Sequence, residues 1–169
     1  MTGITISDLT FQILSEDSDL SFFHCDRNDE LGVDEFIHKE ALDYQRGHYG
    51  VTYLFYYEDR LVGSVTIAMA YVETSEIPES EVDENLEIKQ YPSMLIGQLG
   101  VDNDHRGIDI GTALCGWCVG KAVEFSKVVG CRYVSALTNE KIVEFYRKCG
   151  FMTRSAKKKR VLMIKRLSD

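Results

Sequence analysis

The sequence predicts an α/β fold, a mixed α+β sheet in which the middle helix begins at the end of a strand. Segments rich in β-branched and aromatic residues alternate along the chain with segments of helical periodicity. A loop containing two glycines joins the strand predicted at residues 93–102 to a helix that begins near Ile110. With 169 residues, of which 44% are hydrophobic, the chain is long enough to bury a core, so we expect one domain over residues 1–169.

Three elements are predicted in the first half of the chain. Residues 31–45 place apolar side chains at helical spacing, which buries one side of an amphipathic helix. Residues 52–57 and 61–69 are β-branched and aromatic, and the short polar link between them is typical of an antiparallel hairpin. The helical stripe consists of Val33, Phe36, Ile37, Ala41 and Tyr44.

The segment from Tyr71 to Pro92 carries seven carboxylates against the single Lys89. It also contains both prolines of the chain, so we expect an irregular, exposed excursion. Two interpretations stay open: a solvated acidic loop, or an acidic surface that attracts amines through its long-range field. The carboxylates are those of Glu73, Glu76, Glu79, Glu81, Asp83, Glu84 and Glu87.

Strand and helix alternate in the second half of the chain. Residues 132–138 are a predicted strand, and a short helix is predicted over residues 139–150, because Asn139 is a favoured N-cap and Gly150 a natural left-handed stop. A final strand covers residues 161–167, and the four cations of Lys157–Arg160 indicate a hairpin turn or a solvated edge. The helix after the loop carries the inward stripe Ile110, Leu114, Trp117, Cys118, Ala122 and Phe125.

Composition and charge restrict the class of partner. A net charge of -8 argues against a broad nucleic-acid-binding face and fits a cationic or neutral small substrate better. No apolar run approaches the roughly 20 residues of a membrane helix, and the start MTGITISDLT lacks the features of a secretory signal, so we expect a cytoplasmic protein with no membrane partner. Five scattered cysteines are typical of reduced thiols, and the pair Cys115 and Cys118 lacks a second pair or His cluster to complete a zinc site.

The stretch HRGIDIGTALC is a candidate anion-binding loop. Gly107 and Gly111 let main-chain N–H groups point inward, and the N-terminus of the following helix adds partial positive charge. Arg106 is placed to add a charge-assisted contact to phosphate. The spacing excludes a Walker A loop, which needs GxxxxGK[ST], and a dinucleotide GxGxxG is absent. Taken alone, the pattern RGxxxG equally fits a glycine-softened loop before a packed helix.

Two motifs at compatible spacing resemble the GNAT superfamily of N-acetyltransferases. The string GQLGVDNDHRGIDIGTAL resembles its acetyl-CoA-binding core, in which an Arg or Gln is followed by two residues, a Gly, one residue, and a Gly or Ala. The string NEKIVEFYRKCGF resembles the closing signature of that superfamily, through Asn139, Phe145, Tyr146, Gly150 and Phe151. The resemblance implies a GNAT fold, with a central, mostly antiparallel twisted sheet splayed at a β-bulge and about four flanking helices.

The resemblance also implies a role for each matched position, with acetyl-CoA as co-substrate and no metal. The backbone amides of the loop would hold the pyrophosphate, three residues of the preceding strand would pair with the pantetheine arm, and Asn139 would contact that arm. Tyr146 would be the general acid. The cofactor-binding residues are Leu99, Gly100, Val101, Arg106, Gly107, Ile108, Asp109, Ile110, Gly111, Thr112 and Asn139.

Tyr146 suits a general acid because a hydroxyl of reference pKa about 10 is protonated at neutral pH and can help a thiolate to leave. The oxyanion would meet a backbone N–H between Gly97 and Val101. The strand carboxylate that serves as base in many family members is replaced by Gln98, so Glu73 and His48 are candidate substitutes. The other histidines are expected on the surface or in packing, with His105 positioning the loop: His24, His38 and His105.

The leading hypothesis is acetyl transfer to a primary amine by direct attack in a ternary complex, the acceptor being a cationic small molecule or a lysine or N-terminal amine. The N-terminal string FHCDRNDELGVDEFIHKEA also resembles GNAT toxins that acetylate aminoacyl-tRNA, so tRNA is not excluded. A non-catalytic CoA-binding module is the third alternative, and a homodimer is compatible with the sequence. Asp109 stands where the superfamily usually has Gly, and we expect its carboxylate to turn away from the phosphates and cap the helix that follows.

Overall fold

The computed structural model describes residues 3–168 and contains four α-helices and seven strands in a mixed sheet. The strand order is β1-β2-β3-β4-β5-β7-β6. The chain divides into two compact units. The first unit comprises the chain up to Ala68 together with Gly97–Trp117, and the second comprises Met69–Ile96 and the chain from Cys118 onward. This mixed α/β architecture confirms the predicted fold class.

The first unit contains the predicted hairpin. Strand β2 (Val51–Tyr57) pairs antiparallel with the start of β3 (Arg60–Glu73), and the turn residues Glu58 and Asp59 both have positive φ, 46° and 63°. Two successive residues of positive φ match the twist of a tight hairpin, so this polar link can join the two strands in a two-residue turn. A strand that the sequence did not predict, β1 (Thr10–Ile13), pairs antiparallel with β2.

The helix predicted over residues 31–45 is two helices, so that prediction was wrong in detail. Helix α1 (Val33–Lys39) and helix α2 (Ala41–Arg46) are separated at Glu40, where φ is -122°. The break accompanies a bridge by Gln45, whose side-chain amide donates to the Leu14 carbonyl and accepts the Thr52 N–H. Four residues of the predicted stripe lie in the core of this unit, whereas Tyr44 is 40% exposed. The core consists of Leu14, Phe23, Cys25, Val33, Phe36, Ile37, Ala41 and Leu54.

Helix α3 (Ile110–Ser126) begins in the first unit and packs its first turns on the hairpin. The Trp117 ring lies 4.6 Å from the Tyr53 ring and 5.1 Å from the Phe55 ring, centroid to centroid. A side chain at Gly63 would place its Cβ 2.7 Å from Leu114 Cδ1, so only glycine lets the helix approach β3 this closely. This packing fixes the N-terminus of α3 next to the end of strand β4 (Gln90–Val101).

The acidic segment is anchored rather than free. Residues 74–89 lie outside the strands and form two short 3-10 turns, as an irregular excursion should. However, Ile77 is buried against Tyr91 and Tyr133. The Tyr133 hydroxyl donates to Glu81 Oε2 at 2.6 Å, and the Thr74 hydroxyl donates to the Ile88 carbonyl at 2.6 Å. The segment therefore packs on the core of the second unit while most of its carboxylates face solvent.

The second unit is built on a parallel pair and a C-terminal hairpin. Strand β4 pairs in parallel with β5 (Tyr133–Thr138) through Ser93–Ile96, and β5 pairs antiparallel with β7 (Arg160–Arg166). Strand β6 (Met152–Lys157), which the sequence did not predict, completes a hairpin with β7.

The end of the last helix was predicted correctly, but its start was not. Helix α4 (Val143–Lys148) begins four residues later than expected, because Asn139 closes a turn in which its carbonyl accepts the Ile142 N–H and its Oδ1 accepts the Lys141 N–H. The helix ends as predicted, since Gly150 follows it with φ of 87°. Among residues 3–168, no helix is long and apolar enough to cross a membrane.

Candidate active site

The loop between β4 and α3 forms a backbone anion nest. Gly107 and Asp109 have φ of 78° and 66°, on either side of Ile108, so the chain alternates between left-handed and ordinary backbone. The first helical hydrogen bond of α3 runs from the Ala113 N–H to the Asp109 carbonyl at 3.0 Å. The N–H groups that precede it, those of Ile110, Gly111 and Thr112, therefore have no acceptor one turn back in the helix. These amides and the helix dipole favour an anion at this point.

Asp102, which sequence reasoning missed, anchors the start of this loop. Its carboxylate is buried and accepts the backbone N–H groups of His24 at 3.2 Å and Asp104 at 3.3 Å. The other half of the anchor is the His105 ring, whose Nδ1 lies 2.7 Å from Asp102 Oδ2. The signal available in the sequence was an Asp at the end of a strand, three residues before a His, in the position of a turn cap. His105 thus positions the loop, as expected.

The Arg106 side chain holds a neighbouring segment of the first unit. Its guanidinium donates to the Arg27 carbonyl at 2.8 Å and to the Cys25 carbonyl at 3.4 Å. In this arrangement the positive charge is directed at two carbonyl oxygens of the segment before α1. The backbone amide of Arg106 remains part of the loop, while its side chain ties that loop to residues 25–27.

The last residues of β4 lie against the same segment. A Cβ at Gly100 would lie 2.9 Å from Cys25 Sγ and 3.0 Å from Val33 Cγ1, so this close packing requires a glycine. Leu99 and Val101, on either side of it, are half-buried. A splay or bulge at Gly97–Val101 stays a prediction, since the register shifts that the ladders show lie at Phe55/Tyr56 and Thr153/Ala156.

The Asp109 carboxylate does not cap α3, which corrects the expected role. No N–H of the first helical turn donates to it in the described part of the chain. Instead the side chain lies against Gly3, where an added Cβ would be 2.0 Å from Asp109 Oδ2. The Ile4 N–H donates to the Ile108 carbonyl at 3.0 Å beside it. Asp109 occupies the capping position through its carbonyl only, and a left-handed backbone directs its side chain to the N-terminal segment.

Tyr146 and Asn139 belong to the second unit. Tyr146 is 6% exposed and its ring stands edge-on to the rings of Phe145 and Phe151, with centroids at 5.0 and 5.3 Å. Its carbonyl accepts the Phe151 N–H at 3.0 Å, which closes the end of α4 around it. Asn139 is half-buried at the start of the turn that precedes this helix. Next to it, the buried Thr138 hydroxyl has no hydrogen-bond partner among the described residues.

The candidate bases are exposed side chains. Glu73 ends β3 and its Oε1 accepts from the Gln90 side chain at 3.3 Å. His48 lies in the turn after α2 with φ of 61°, and Gln98 is half-buried on β4. None of these environments marks one group as the base, so the base stays a prediction.

The cysteines are packing residues rather than nucleophiles. Cys115 and Cys118 are buried in α3, as expected, and burial raises the pKa of the Cys118 thiol. Burial, followed by the nearby Asp34 carboxylate, raises the pKa of the Cys25 thiol to about 12. Both thiols are therefore protonated at neutral pH, so neither Cys25 nor Cys118 is indicated as a nucleophile.

Comparisons with known proteins identify the family and the fold of the chain. The model of the acetyltransferase (GNAT) family matches residues 11–151, a stretch that runs through both compact units. A protein of Methanocaldococcus jannaschii, the uncharacterized N-acetyltransferase MJ1207, is 37% identical over 75 residues. The match covers 43% of this chain and 31% of that protein, so it spans less than a third of the relative.

Two solved structures share the fold at low identity. AtaT complexed with acetyl-methionyl-tRNAfMet superposes with a TM-score of 0.79 at 23% identity, over 92% of this chain and 94% of that chain. A tyrosine-to-phenylalanine mutant of the toxin AtaT, bound to the C-terminus of the antitoxin AtaR and acetyl-CoA, has a TM-score of 0.74 at 20% identity, over 95% of this chain and 94% of that chain. At this identity the likeness concerns the fold.

Proposed function

Because the chain belongs to the GNAT acetyltransferase family, we propose that it transfers the acetyl group of acetyl-CoA to a primary amine by direct attack in a ternary complex. The observation that carries this proposal is the nest between β4 and α3. Left-handed backbone at Gly107 and Asp109 precedes a helix of 17 residues whose first amides have no helical acceptor. This arrangement suits the pyrophosphate of CoA without a bound cation.

The residues that match the two superfamily motifs supply backbone or side-chain groups for each part of acetyl-CoA. The backbone amides from Arg106 to Gly111, with Thr112, bind the pyrophosphate. Leu99, Gly100 and Val101 pair with the pantetheine arm as an added strand would, and Asn139 contacts the same arm. The bound form of the toxin AtaT with acetyl-CoA supports this co-substrate for the shared fold.

The reaction needs one attack and two proton transfers. The neutral amine attacks the thioester carbonyl carbon, and the tetrahedral oxyanion that forms accepts a backbone N–H of Gly97–Val101. The C–S bond then breaks, and the departing thiolate takes the proton of the Tyr146 hydroxyl. Tyr146 regains a proton from solvent after the transfer. The attacking nitrogen loses its proton to Glu73, His48 or a water path. The products are an acetamide and free CoA.

A cationic small molecule or a lysine or N-terminal amine is the leading acceptor class, because the net charge of -8 attracts cations. The amine of aminoacyl-tRNA is the second candidate. AtaT, which shares this fold, is complexed with acetyl-methionyl-tRNAfMet, and the turn between β6 and β7 carries four consecutive cations here, Lys157–Arg160. An antitoxin partner would accompany this second function, as AtaR binds AtaT.

A panel of acceptors with acetyl-CoA, followed by release of free thiol, tests the proposal. The panel contains polyamines, lysine peptides, peptides with free N-termini and a set of charged tRNAs. Thiol release that depends on a small amine or peptide supports the leading class, and release that depends only on charged tRNA supports the second. Acetyl-CoA binding without transfer to any acceptor would contradict both and leave a CoA-binding module.

A further inference from the structure

Three metal-ligating side chains meet in the first unit, away from the nest. One ligand atom from each of His24, Asp34 and His38 lies within 4.8 Å of the others. The sequence alone did not predict this cluster, because His24 and Asp34 are ten residues apart and sit on either side of an irregular segment. It is the only group of this kind that the described residues form.

Local structure explains why these three side chains converge. Asp34 and His38 are four residues apart in α1 and share one face of the helix, with His38 Nε2 3.7 Å from Asp34 Oδ1. His24 is brought to that face by its backbone, whose N–H donates to Asp102 Oδ1 and whose carbonyl accepts the Asn103 N–H at 2.7 Å. The rings of His24 and His38 then stack with centroids 5.6 Å apart.

Backbone groups orient two of the three side chains as outer-shell partners orient metal ligands. The Asp34 Oδ1 accepts the Cys25 N–H at 2.8 Å. His38 Nε2 lies 2.8 Å from the Phe23 carbonyl oxygen, so when Nε2 donates its N–H to that carbonyl, Nδ1 is the ring nitrogen that stays unprotonated and binds the cation. The His38 and Asp34 side chains are 26% and 22% exposed, so a cation can reach them from solvent.

We propose that His24, Asp34 and His38 bind one divalent transition-metal cation, best matched by Zn²⁺. Two imidazoles and one carboxylate are a donor set that Zn²⁺ accepts, with water as fourth ligand. A tetrahedral site with bonds of about 2.0–2.2 Å separates its donors by roughly 3.3 Å, so the three ligand atoms, which lie within 4.8 Å of one another, must move closer together when the cation binds. The cation is structural and takes no part in acetyl transfer.

Occupation of the site would clamp the segment between His24 and α1. That segment carries the Cys25 and Arg27 carbonyls that accept the Arg106 guanidinium. The cation therefore reinforces the support of the CoA loop from the outside. Because this proposal concerns stability and metal binding, its failure would leave the proposed acetyl transfer untouched.

Calorimetric titration of the full-length, untagged protein with Zn²⁺ tests the site, with thermal unfolding as a second readout. We expect one Zn²⁺ per chain and a rise in Tm for the wild type. His24→Ala and His38→Ala should each weaken Zn²⁺ binding by more than about tenfold and abolish the rise in Tm. Asp34→Asn keeps an acceptor for the Cys25 N–H, so it should fold while binding less tightly.

The matched control is His48→Asn, which removes an exposed histidine outside the cluster at a residue of positive φ that Asn tolerates. This control should bind Zn²⁺ as the wild type does. Substitution with Co²⁺ should give visible d–d bands without thiolate charge transfer. Equal Zn²⁺ binding by His24→Ala, His38→Ala and the wild type, or thiolate charge-transfer bands, would overturn the proposal.

Discussion

Asp109 has a left-handed backbone, with φ of 66°, at a position where the family usually has glycine. Since the carboxylate caps no N–H group of α3, replacement by Gly removes a strained Cβ without removing a hydrogen bond. We expect Asp109→Gly to leave the free energy of unfolding unchanged or raise it by up to about 1 kcal/mol. Urea unfolding measures this, and acetyl-CoA affinity should stay the same or improve a few-fold.

Asp109→Ala is the matched control for that change. It removes the same charge but keeps a Cβ in the left-handed region, so it should be less stable than Asp109→Gly. A loss of about 1 kcal/mol in the Gly variant would instead mean that the carboxylate caps the helix in solution.

A substitution at Tyr146 tests the proposed proton transfer to the leaving thiolate. Phenylalanine keeps the ring and its contacts with Phe145 and Phe151 but removes the proton that would go to the leaving thiolate. We expect Tyr146→Phe to lower kcat by roughly 10- to 100-fold with little change in acetyl-CoA affinity. Tyr71→Phe, which alters an exposed tyrosine, is the control. Turnover of Tyr146→Phe at the wild-type rate would exclude Tyr146 as the acid.

Thr138 carries a buried hydroxyl with no partner among the described residues. Valine has the same shape and no polar atom, and it suits a strand, so Thr138→Val should raise the free energy of unfolding by about 1 kcal/mol. Chemical denaturation measures the change. A rise in KM for acetyl-CoA in the same variant would show that the Thr138 hydroxyl hydrogen-bonds acetyl-CoA next to Asn139. A loss of stability would instead show that the hydroxyl has a hydrogen-bond partner in solution.

At the scale of elements, local signals predicted the first hairpin and left a hairpin turn or a solvated edge open at residues 157–160, but they missed what depends on distant contacts. The polar links at residues 58–59 and 158–159 proved to be turns of positive φ, because turn chemistry is local. The break at Glu40 could not be predicted from local sequence, because it accompanies hydrogen bonds from the Gln45 side chain to Leu14 and Thr52. Leu14 lies 31 positions from Gln45 along the chain, and Thr52 lies 7 positions from it. Strand β6 was missed because its sequence, MTRSAK, is polar and the strand stays largely exposed, so its pairing with β7 leaves no hydrophobic pattern.

The acidic excursion depends on one such distant contact, the hydrogen bond from the Tyr133 hydroxyl to Glu81. Burial, and then the Glu81 carboxylate, raise the pKa of Tyr133 from 10.0 to about 12. Above pH 10 the unfolded chain loses a proton that the native chain keeps, so stability must fall as pH rises toward about 12. One proton sets an upper limit of about 1.4 kcal/mol per pH unit on the slope that this group contributes over that window.

Tyr133→Phe should therefore flatten the alkaline decline in unfolding free energy between pH 10 and 12, while being less stable than the wild type at pH 7. Urea unfolding across this range provides the measurement. Tyr71→Phe is again the control, since the Tyr71 side chain is 57% exposed. A decline as steep in Tyr133→Phe as in the wild type would show that other groups cause it.

For the whole molecule, the sequence motifs name the candidate site residues, whose roles stay a prediction, but they do not reveal the contacts that support the loop. The two motifs are contiguous strings, so their resemblance could be recognised without any tertiary information. The anchor formed by Asp102 with His24, and the bonds from Arg106 to Cys25 and Arg27, join residues about 80 positions apart. Such pairs leave no periodic signal in one sequence, and they emerge only when the core brings the segments together.

Net charge separates the two acceptor classes. An acidic chain binds tRNA only through a local basic site, and the turn between β6 and β7 is the densest cluster of cations in the sequence. Lys158 and Lys159 have φ of 49° and 65°, the conformation that an Asn-Gly pair prefers. The double variant Lys158→Asn/Lys159→Gly therefore removes two charges while keeping the turn.

If aminoacyl-tRNA is the acceptor, this double variant should lower kcat/KM for charged tRNA and reduce the salt dependence of tRNA binding by roughly one to two units of log–log slope. Acetylation of a small amine should not change. Lys89→Gln/Lys127→Gln removes the same two charges from exposed positions elsewhere and serves as the control. If both variants affect tRNA equally, the charge of the whole chain matters rather than the turn. If neither does, the turn does not bind tRNA and the second acceptor class loses this support.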